Sequence, residues 1–185
     1  MLTLLKFGDF SLYLSGLSFH EGGEIKSLTL WPNEDMTVEI GGKPVRVGPG
    51  IAFHEDGSVK SVEPKKPVPV DTPWGPMEAF DPCAIGVTGE LNSLRFDRDG
   101  KVSGLKSLAI LEAKTAEGTI LLKPLSKPNP TDDSRMIHAP LDISFEDGKA
   151  RVRRGELFEK EIWLDLADPV KLIPHIAHKL VTVKI

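Results

Sequence analysis

GIAFHEDGSVKSV (residues 50–62) contains the clearest copy of a phrase that occurs four times in this chain. In each copy an aromatic residue is followed by polar residues and a glycine, and apolar residues then resume. The copies are Phe19-His20-Glu21-Gly22-Gly23, Phe53-His54-Glu55-Asp56-Gly57, Phe96-Asp97-Arg98-Asp99-Gly100 and, one residue shorter, Phe145-Glu146-Asp147-Gly148. Because Gly-Gly and Asp-Gly dipeptides supply the positive φ of tight hairpin turns, each copy predicts a chain reversal.

A second, looser turn element follows each of the first three copies, in EIGGKPV, DTPWGPM and KTAEGTI. The segments between the turns are short and carry β-branched or aromatic residues in partial alternation, which is typical of strands. Short strands of even spacing predict an all-β fold. We expect an antiparallel meander of repeated hairpins that closes into a barrel or folds as a sandwich.

The register of the hairpin at 50–62 has two interpretations. A two-residue loop at Asp56-Gly57 sets Phe53 opposite Lys60, whereas a three-residue loop with a glycine bulge sets Phe53 opposite Val59. Val59 and Val62 cannot share a face of one regular strand because they are three residues apart. We therefore expect some apolar surface on both sides of the sheet.

The length of 185 residues and the apolar content of 40% predict one domain over residues 1–185. Its repeat units are expected at about 16–49, 50–92, 93–141 and 142–164. Two insertions, at residues 79–92 and 124–140, are rich in Gly, Pro, Asp and Asn. They predict long loops, which is where binding sites on a regular scaffold usually lie.

The C-terminal part of the chain changes character. Asp168 as a cap and Pro169 at the first position predict one short helix at about 169–180, with Leu172 among its inward-facing residues. Pro174 keeps that helix short. A last strand is expected from Val181.

Composition argues against several classes of partner. The net charge is −4, with 23 basic and 27 acidic residues interspersed, so no positive field for nucleic acid is expected. The single cysteine, Cys83, excludes an internal disulfide and a zinc site of several thiolates. No membrane span and no basic leader are expected, which predicts a cytoplasmic protein. The oligomeric state is left open.

Four side chains occupy the same place in the four copies of the phrase: His20, His54, Asp97 and Glu146. If the repeats stack in register, imidazole and carboxylate groups could form one row that binds a divalent metal. The competing interpretation is that a residue beside a buried Phe on an alternating strand points to water and need only be polar. We favour the second interpretation and expect no metal and no cofactor.

Cys83 and Asp81 lie in the first insertion and His138 lies in the second. A nucleophilic thiol needs an adjacent base, which His138 could provide across space. These three are the first residues to test if the protein is an enzyme. A lone cysteine is more often a small apolar filler, so we favour a non-catalytic role.

Other polar and aromatic residues have ordinary interpretations. His175 and His178, three apart on the expected helix, could bind a metal but fit a helix C-terminus better. Trp31, Trp74 and Trp163 could stack on sugars or bases, and we expect them to be core anchors instead.

The segments SLTLWP, FHEDGSVKSVEP, PVDTPWG and NSLRFDRDG resemble an uncharacterised bacterial family of F-x-x-D-G β-hairpin-repeat proteins, over residues 17 to about 107. That resemblance implies a hairpin-repeat fold and no activity. The chain is also distantly similar to MORN-type repeats, which suggest protein or lipid contact. It lacks their regular Tyr-x-Gly opening, so no residue role transfers.

Three functions are compatible with these observations. The leading hypothesis is a non-catalytic β-repeat module that binds a protein or a small ligand through the loops at 79–92 and 124–140. The alternative is a small hydrolase that acts on a small molecule or a saccharide. A third hypothesis is a structural protein that self-associates through its sheet edges.

Overall fold

The computed structural model describes residues 3–7, 10–34, 36–84, 92–129, 132–154 and 160–174, and all regular elements in these ranges are β-strands. No helix that could cross a membrane occurs in them. The strands are β1 Thr3–Phe7, β2 Phe10–Phe19, β3 Ile25–Leu30, β4 Met36–Ile40, β5 Lys43–Phe53, β6 Val59–Pro64, β7 Val68–Thr72, β8 Gly75–Ala79, β9 Leu94–Phe96, β10 Val102–Ser107, β11 Ile110–Thr115, β12 Gly118–Leu122, β13 Leu125–Asn129, β14 Asp132–Ala139, β15 Leu141–Glu146, β16 Lys149–Arg154, β17 Lys160–Asp165 and β18 Val170–Ile173.

Eleven of the described strands form the main sheet, which is antiparallel throughout. Its order is β1-β2-β3-β5-β6-β9-β10-β15-β16-β17, and β4 pairs in addition with β5. The predicted all-β meander of hairpins is thereby confirmed. Within the described ranges the path from β1 to β17 does not close on itself, so the barrel, one of the two expected arrangements, is not found.

Three small sheets are inserted into this meander: β7-β8, β12-β11-β18 and β13-β14. The looser turn elements of the sequence join β4 to β5, β7 to β8 and β11 to β12. Each repeat phrase, by contrast, joins two strands of the main sheet. The repeat phrases therefore connect strands of the main sheet, whereas two of the three looser turns connect strands of the small sheets.

The first three phrase turns have the same hydrogen bonds. In the second copy, the His54 amide donates to the Ser58 carbonyl at 2.9 Å and the Gly57 amide donates to the His54 carbonyl at 3.0 Å. Gly57 has a φ of 83°, which L side chains rarely adopt. In the shorter fourth copy, Asp147 and Gly148 have φ values of 50° and 73°, as a two-residue type I′ turn requires.

A β-bulge follows each of the first three turns. Phe53 lies opposite Val59, while Ile51 lies opposite Val62, so Lys60 is the extra residue. The bulged register is the correct one of the two interpretations. Because of the extra residue, Val59 and Val62 point to the same face of the sheet, and both pack in one core cluster. The inference that placed them on opposite sides of the sheet is wrong.

One row of aliphatic side chains forms the centre of the core. These residues lie opposite one another on successive strands, and the interior members of the row are buried. Each buried member contributes roughly 1.5–3 kcal/mol through burial. The row consists of Leu17, Leu28, Ile51, Val62, Leu94, Leu105, Ile143, Val152 and Ile162.

The neighbouring row points to the other face of the sheet, and its members are polar or small except for Trp163. The main sheet therefore has one apolar face and one polar face, as alternation along each strand requires. This polar row consists of Ser18, Ser27, Ala52, Ser61, Arg95, Gly104, Ser144, Arg151 and Trp163.

Two predicted elements differ in the structure. Residues 125–129 and 132–139 form the paired strands β13 and β14 and not a long loop, and Pro128 is tolerated there because this two-stranded sheet has free edges. Residues 170–173 form β18 and not a helix, because Val170 and Leu172 pair with β11 and pack against the core. Residues 175–180 of the predicted helix and the strand expected from Val181 lie outside the described residues.

Candidate functional site

A cleft of about 570 Å³ lies at the end of the main sheet that is remote from the turn at 54–58. It is bounded by segments at 29–34, 48–49 and 63–65, and by part of the first insertion at 80–84. These segments follow or interrupt strands β3, β5, β6 and β8. The side chains that matter to its chemistry are those of Trp31, Glu34, Glu63, Lys65, Phe80 and Asp81.

Trp31 stands at the rim of this cleft and is held by a turn. Its amide donates to the Tyr13 carbonyl at 2.9 Å, and the Glu34 amide donates back to the Trp31 carbonyl at 3.0 Å. Pro32 fixes φ at the first central position, while Asn33 has a φ of 78° at the second. Trp31 is 46% exposed, so the expectation that it anchors the core is wrong.

The two other tryptophans divide between the two roles. Trp74 packs against the core cluster and meets Phe145 edge-to-face, with ring centroids 5.5 Å apart. This is the core anchor that the sequence predicted. Trp163 is 47% exposed and lies under the Arg151 guanidinium, 5.6 Å from the ring centroid, so it is not a core anchor.

The base of the cleft is formed where β5 departs from regular pairing with β6. Val47 lies opposite Pro64 and Ile51 lies opposite Val62, so four residue steps on β5 face two on β6. Gly48 lies in this irregular stretch. A Cβ atom there would be 2.9 Å from the Glu63 carbonyl oxygen, which is closer than real Cβ atoms come, so a glycine permits this approach.

Glu63 is one of the residues that line the cleft, but its carboxyl group is buried, and the residue is 2% exposed. Its Oε2 accepts a hydrogen bond from the Ser93 amide at 2.9 Å, whereas Oε1 has no hydrogen-bond partner in the part of the chain that the structure describes. Burial raises the pKa of Glu63 to about 7, although the Ser93 hydrogen bond and the Lys106 charge act in the opposite direction. The carboxyl group therefore titrates near neutral pH.

Asp81 is the cleft residue that the sequence had singled out. Its Oδ2 forms an ion pair with the Lys106 ammonium at 2.8 Å, and its Oδ1 accepts a hydrogen bond from the Cys83 amide at 2.9 Å. The Phe80 amide also donates to the Lys106 carbonyl at 2.9 Å. These bonds attach the start of the first insertion to β10 and bring Asp81 close to Glu63.

The polar face continues away from the cleft as a network of arginines. Asp142 accepts hydrogen bonds from Arg95 on one oxygen, at 2.5 Å, and from Arg153 on the other, at 2.8 Å. Arg95 crosses Gly104, where a Cβ atom would be 2.7 Å from the Ile143 carbonyl oxygen and even closer to the guanidinium. Since Asp142 is engaged on both oxygens, we interpret this network as structural.

The four candidates for a metal site have other partners. His20 Nε2 lies 3.1 Å from the Phe53 carbonyl oxygen and His54 Nε2 lies 3.3 Å from the Phe96 carbonyl oxygen, so each imidazole links its hairpin to the next. Asp97 Oδ1 accepts hydrogen bonds from amides of its own turn, and Glu146 lies 3.9 Å from Arg151. Among the described residues, no three His, Cys, Asp or Glu side chains form a group that could hold a metal.

The candidates for an enzyme site are brought together only in part. Asp81 and Cys83 share one turn beside the cleft, and Cys83 is half-buried. His138 lies on β14, with Nδ1 3.0 Å from the Ser126 hydroxyl on the paired strand. The pairing of Cys83 with His138 stays a prediction. His175 and His178 lie outside the described residues, as do positions 85–91 of the first insertion.

Comparison with known proteins adds no family to this picture: no protein-family model matches the chain, and neither a curated protein nor a solved structure is significantly similar to it. The functional interpretation therefore depends on the cleft.

Sequence reasoning missed Glu63 among the residues that line the cleft. The available signal was SVEP at 61–64, where an acidic residue sits on the same side of a strand as Ser61, beside a buried valine.

Proposed function

We propose that this protein is a non-catalytic β-repeat module that binds a small ligand in the cleft between Trp31 and Asp81. One observation carries the proposal: the half-exposed Trp31 ring stands at a cleft of about 570 Å³ that is also lined by the start of the first insertion. The cleft volume also suits a small molecule, since ligand pockets measure about 300–1,000 Å³.

The proposal narrows the surface expected from the sequence. The first insertion contributes Phe80, Asp81, Pro82 and Ala84 to the cleft, which supports a binding role for the loop at 79–92. No described residue of the second insertion at 124–140 is among those that line it. The remaining wall comes from strand ends, which hold a ligand more rigidly than loops do.

A hydrolase is the second candidate because two carboxyl groups of different character line the same cleft. Glu63 has a pKa of about 7 and could donate a proton, while Asp81 forms an ion pair with Lys106. Binding is favoured over hydrolysis since Glu63 Oε1 is shielded from solvent, whereas a general acid must reach its substrate within hydrogen-bond distance.

Membership of the F-x-x-D-G hairpin-repeat family and a cytoplasmic location are further parts of this proposal. The shared hydrogen bonds of the first three phrase turns support the family. The single cysteine of the sequence is compatible with a reducing compartment.

A nuclear magnetic resonance screen tests the proposed function. The ¹⁵N-labelled protein is mixed with a panel of small sugars, amino acids, amines, nucleosides, esters and glycosides, and binders are expected to shift the Trp31 indole signal and the backbone amide signals of Gly48 and Lys65, which also line the cleft. Trp31→Ala should abolish the amide shifts, and Trp163→Ala is a matched control because both rings are about half exposed. Shifts that persist in Trp31→Ala, or no shifts with any compound, would overturn the proposal. Cleavage of panel esters or glycosides that Glu63→Gln abolishes would favour the hydrolase.

A further inference from the structure

We infer that the ligand is an uncharged oligosaccharide, one ring of which stacks on Trp31 at the cleft while the next ring lies over Tyr13, an inference that rests on the proposed function. Three features support it: a row of exposed apolar side chains that begins at the cleft, the balance of charge around the cleft, and the hydroxyl and amide groups of its wall.

The row of exposed side chains runs from the cleft across two neighbouring strands. Leu4 lies opposite Tyr13 in the pairing of β1 with β2, and the Trp31 amide donates to the Tyr13 carbonyl at 2.9 Å, so the three residues lie at one level of the sheet. Leu14 and Leu30, which precede or follow them on β2 and β3, are buried in the core, so alternation places Tyr13 and Trp31 on the opposite face. Leu4, Tyr13 and Trp31 are 44%, 45% and 46% exposed.

This row forms an apolar platform that suits face-on stacking. Opposed side chains on neighbouring strands are about 5 Å apart, so the three cover roughly 10 Å. Tyrosine and tryptophan offer a large, rigid contact area at low cost in conformational entropy, and the C–H face of a sugar ring packs on such a surface. Because β2 is paired with β1 and β3, and β3 with β2 and β5, a peptide cannot bind here by adding a strand.

The charges that line the cleft favour an uncharged ligand. The Glu63 carboxyl group is buried, and Asp81 forms an ion pair with Lys106 at 2.8 Å. Of the described charged residues that line the cleft, Glu34 and Lys65 remain, and they carry opposite charges. A phosphate meets no excess of positive charge there and a cation meets no excess of negative charge, so neither is selected over a neutral molecule.

Hydroxyl and amide groups lie beside the stacking ring. Ser15, Thr29 and Asn33 line the same cleft as Trp31. The Ser15 hydroxyl donates to the Thr29 carbonyl at 3.3 Å, so its oxygen can still accept a hydrogen bond. Asn33 is exposed, and its amide offers both donors and an acceptor. Sugar hydroxyls are themselves donors and acceptors, so these groups can orient a ring that stacks on Trp31.

Nuclear magnetic resonance titration of the ¹⁵N-labelled protein with cello-, xylo-, malto- and manno-oligosaccharides tests this inference. We expect at least one series to shift the Gly48 and Lys65 amide signals, with an affinity that rises from the monosaccharide to the tetrasaccharide. Trp31→Ala should weaken binding at every length, roughly tenfold. Tyr13→Ala should weaken the tetrasaccharide roughly twofold to tenfold and leave the monosaccharide unchanged, whereas Tyr13→Phe keeps the ring and should bind like the wild type. Phe19→Ala, on an exposed position of the same strand, is the matched control and should have no effect.

The outcomes separate this inference from the proposed function. If amines, amino acids or nucleosides shift the cleft amides while no saccharide does, the saccharide inference is wrong and the small-ligand module stands. If a saccharide binds but Tyr13→Ala weakens none of its lengths, the platform inference is likewise wrong. If no compound of any class binds, or only a proline-rich peptide does, both fail. Circular dichroism spectra and urea midpoints of the variants are compared with the wild type, and Tyr13→Phe gives a result that does not depend on removing a ring.

Discussion

Glu63→Gln is expected to change how the stability of this protein depends on pH. The folded state raises the pKa of Glu63 from its ordinary value of 4.5 to about 7, chiefly by burial. A folded state that raises the pKa of an acid binds the proton more tightly than the unfolded state does. The contribution of Glu63 to the free energy of unfolding therefore falls as pH rises from 4.5 to 7. Above pH 7 this contribution no longer changes.

The magnitude follows from the size of the shift. The difference between 7 and 4.5 is 2.5, and at 1.36 kcal/mol for each pKa unit the full loss is about 3 kcal/mol. Of this, about 2.5 kcal/mol accrues between pH 5 and pH 8. A loss of this size is a large share of the 5–15 kcal/mol that typically stabilises a domain.

Urea unfolding followed by tryptophan fluorescence at pH 5 and pH 8 measures the effect. Other groups titrate as well, so the quantity to compare is wild type minus Glu63→Gln at each pH. The glutamine amide contributes equally at both pH values and cancels. We expect the variant to gain about 2.5 kcal/mol relative to the wild type on going from pH 5 to pH 8. Glu78→Gln, on an exposed position of β8, is the matched control and should follow the wild type. A constant difference between wild type and Glu63→Gln would refute the reasoning.

Four further substitutions test the scaffold by urea unfolding. Leu94→Ala should cost about 2–5 kcal/mol, because Leu94 is fully buried in the aliphatic row, and a smaller loss would mean a looser core. Gly104→Ala should cost roughly 1–3 kcal/mol or more, since its Cβ would collide with the Ile143 carbonyl, and a neutral result would contradict the close approach. Gly57→Ala should cost about 1 kcal/mol because of its positive φ, and no loss would mean that the turn differs. His54→Ala should cost about 1 kcal/mol through the lost bond to the Phe96 carbonyl, and an unchanged midpoint would show that this bond adds nothing.

The turns were predictable because local chemistry determines them. An Asp-Gly or Gly-Gly pair favours a tight reversal wherever it occurs, and the copies at Gly23, Gly57 and Gly100 all have positive φ. The bulge after each turn was one of two registers that the sequence allowed. The structure selects it because the extra residue brings Val59 and Val62 into the same core.

The C-terminal error shows how a local signal can be overridden. Asp168 and Pro169 are helix-start residues, but Asp168 also ends a turn in which its amide donates to the Asp165 carbonyl at 3.1 Å. The next residues then pair with β11, a partner more than fifty positions earlier in the chain. Leu172 packs against the core as expected, but as a residue of a strand, and no pattern within the segment reveals the pairing with β11.

The candidate site was predictable only in part, for a related reason. Asp81 drew attention because it lies in an insertion. Glu63 looks like an ordinary polar residue near a strand end, and its burial depends on Ser93, thirty positions away, and on Gly48 of another strand. Contacts between residues so far apart in the chain arise from the packing of the meander, and the local sequence offers only the SVEP pattern at 61–64.

The most direct test of the cleft is a ¹³C titration of the glutamate side-chain carboxyl groups, with the Glu63 resonance assigned through Glu63→Gln. A buried carboxyl group predicts a midpoint near pH 7. A midpoint near 4.5 would contradict the burial of this group.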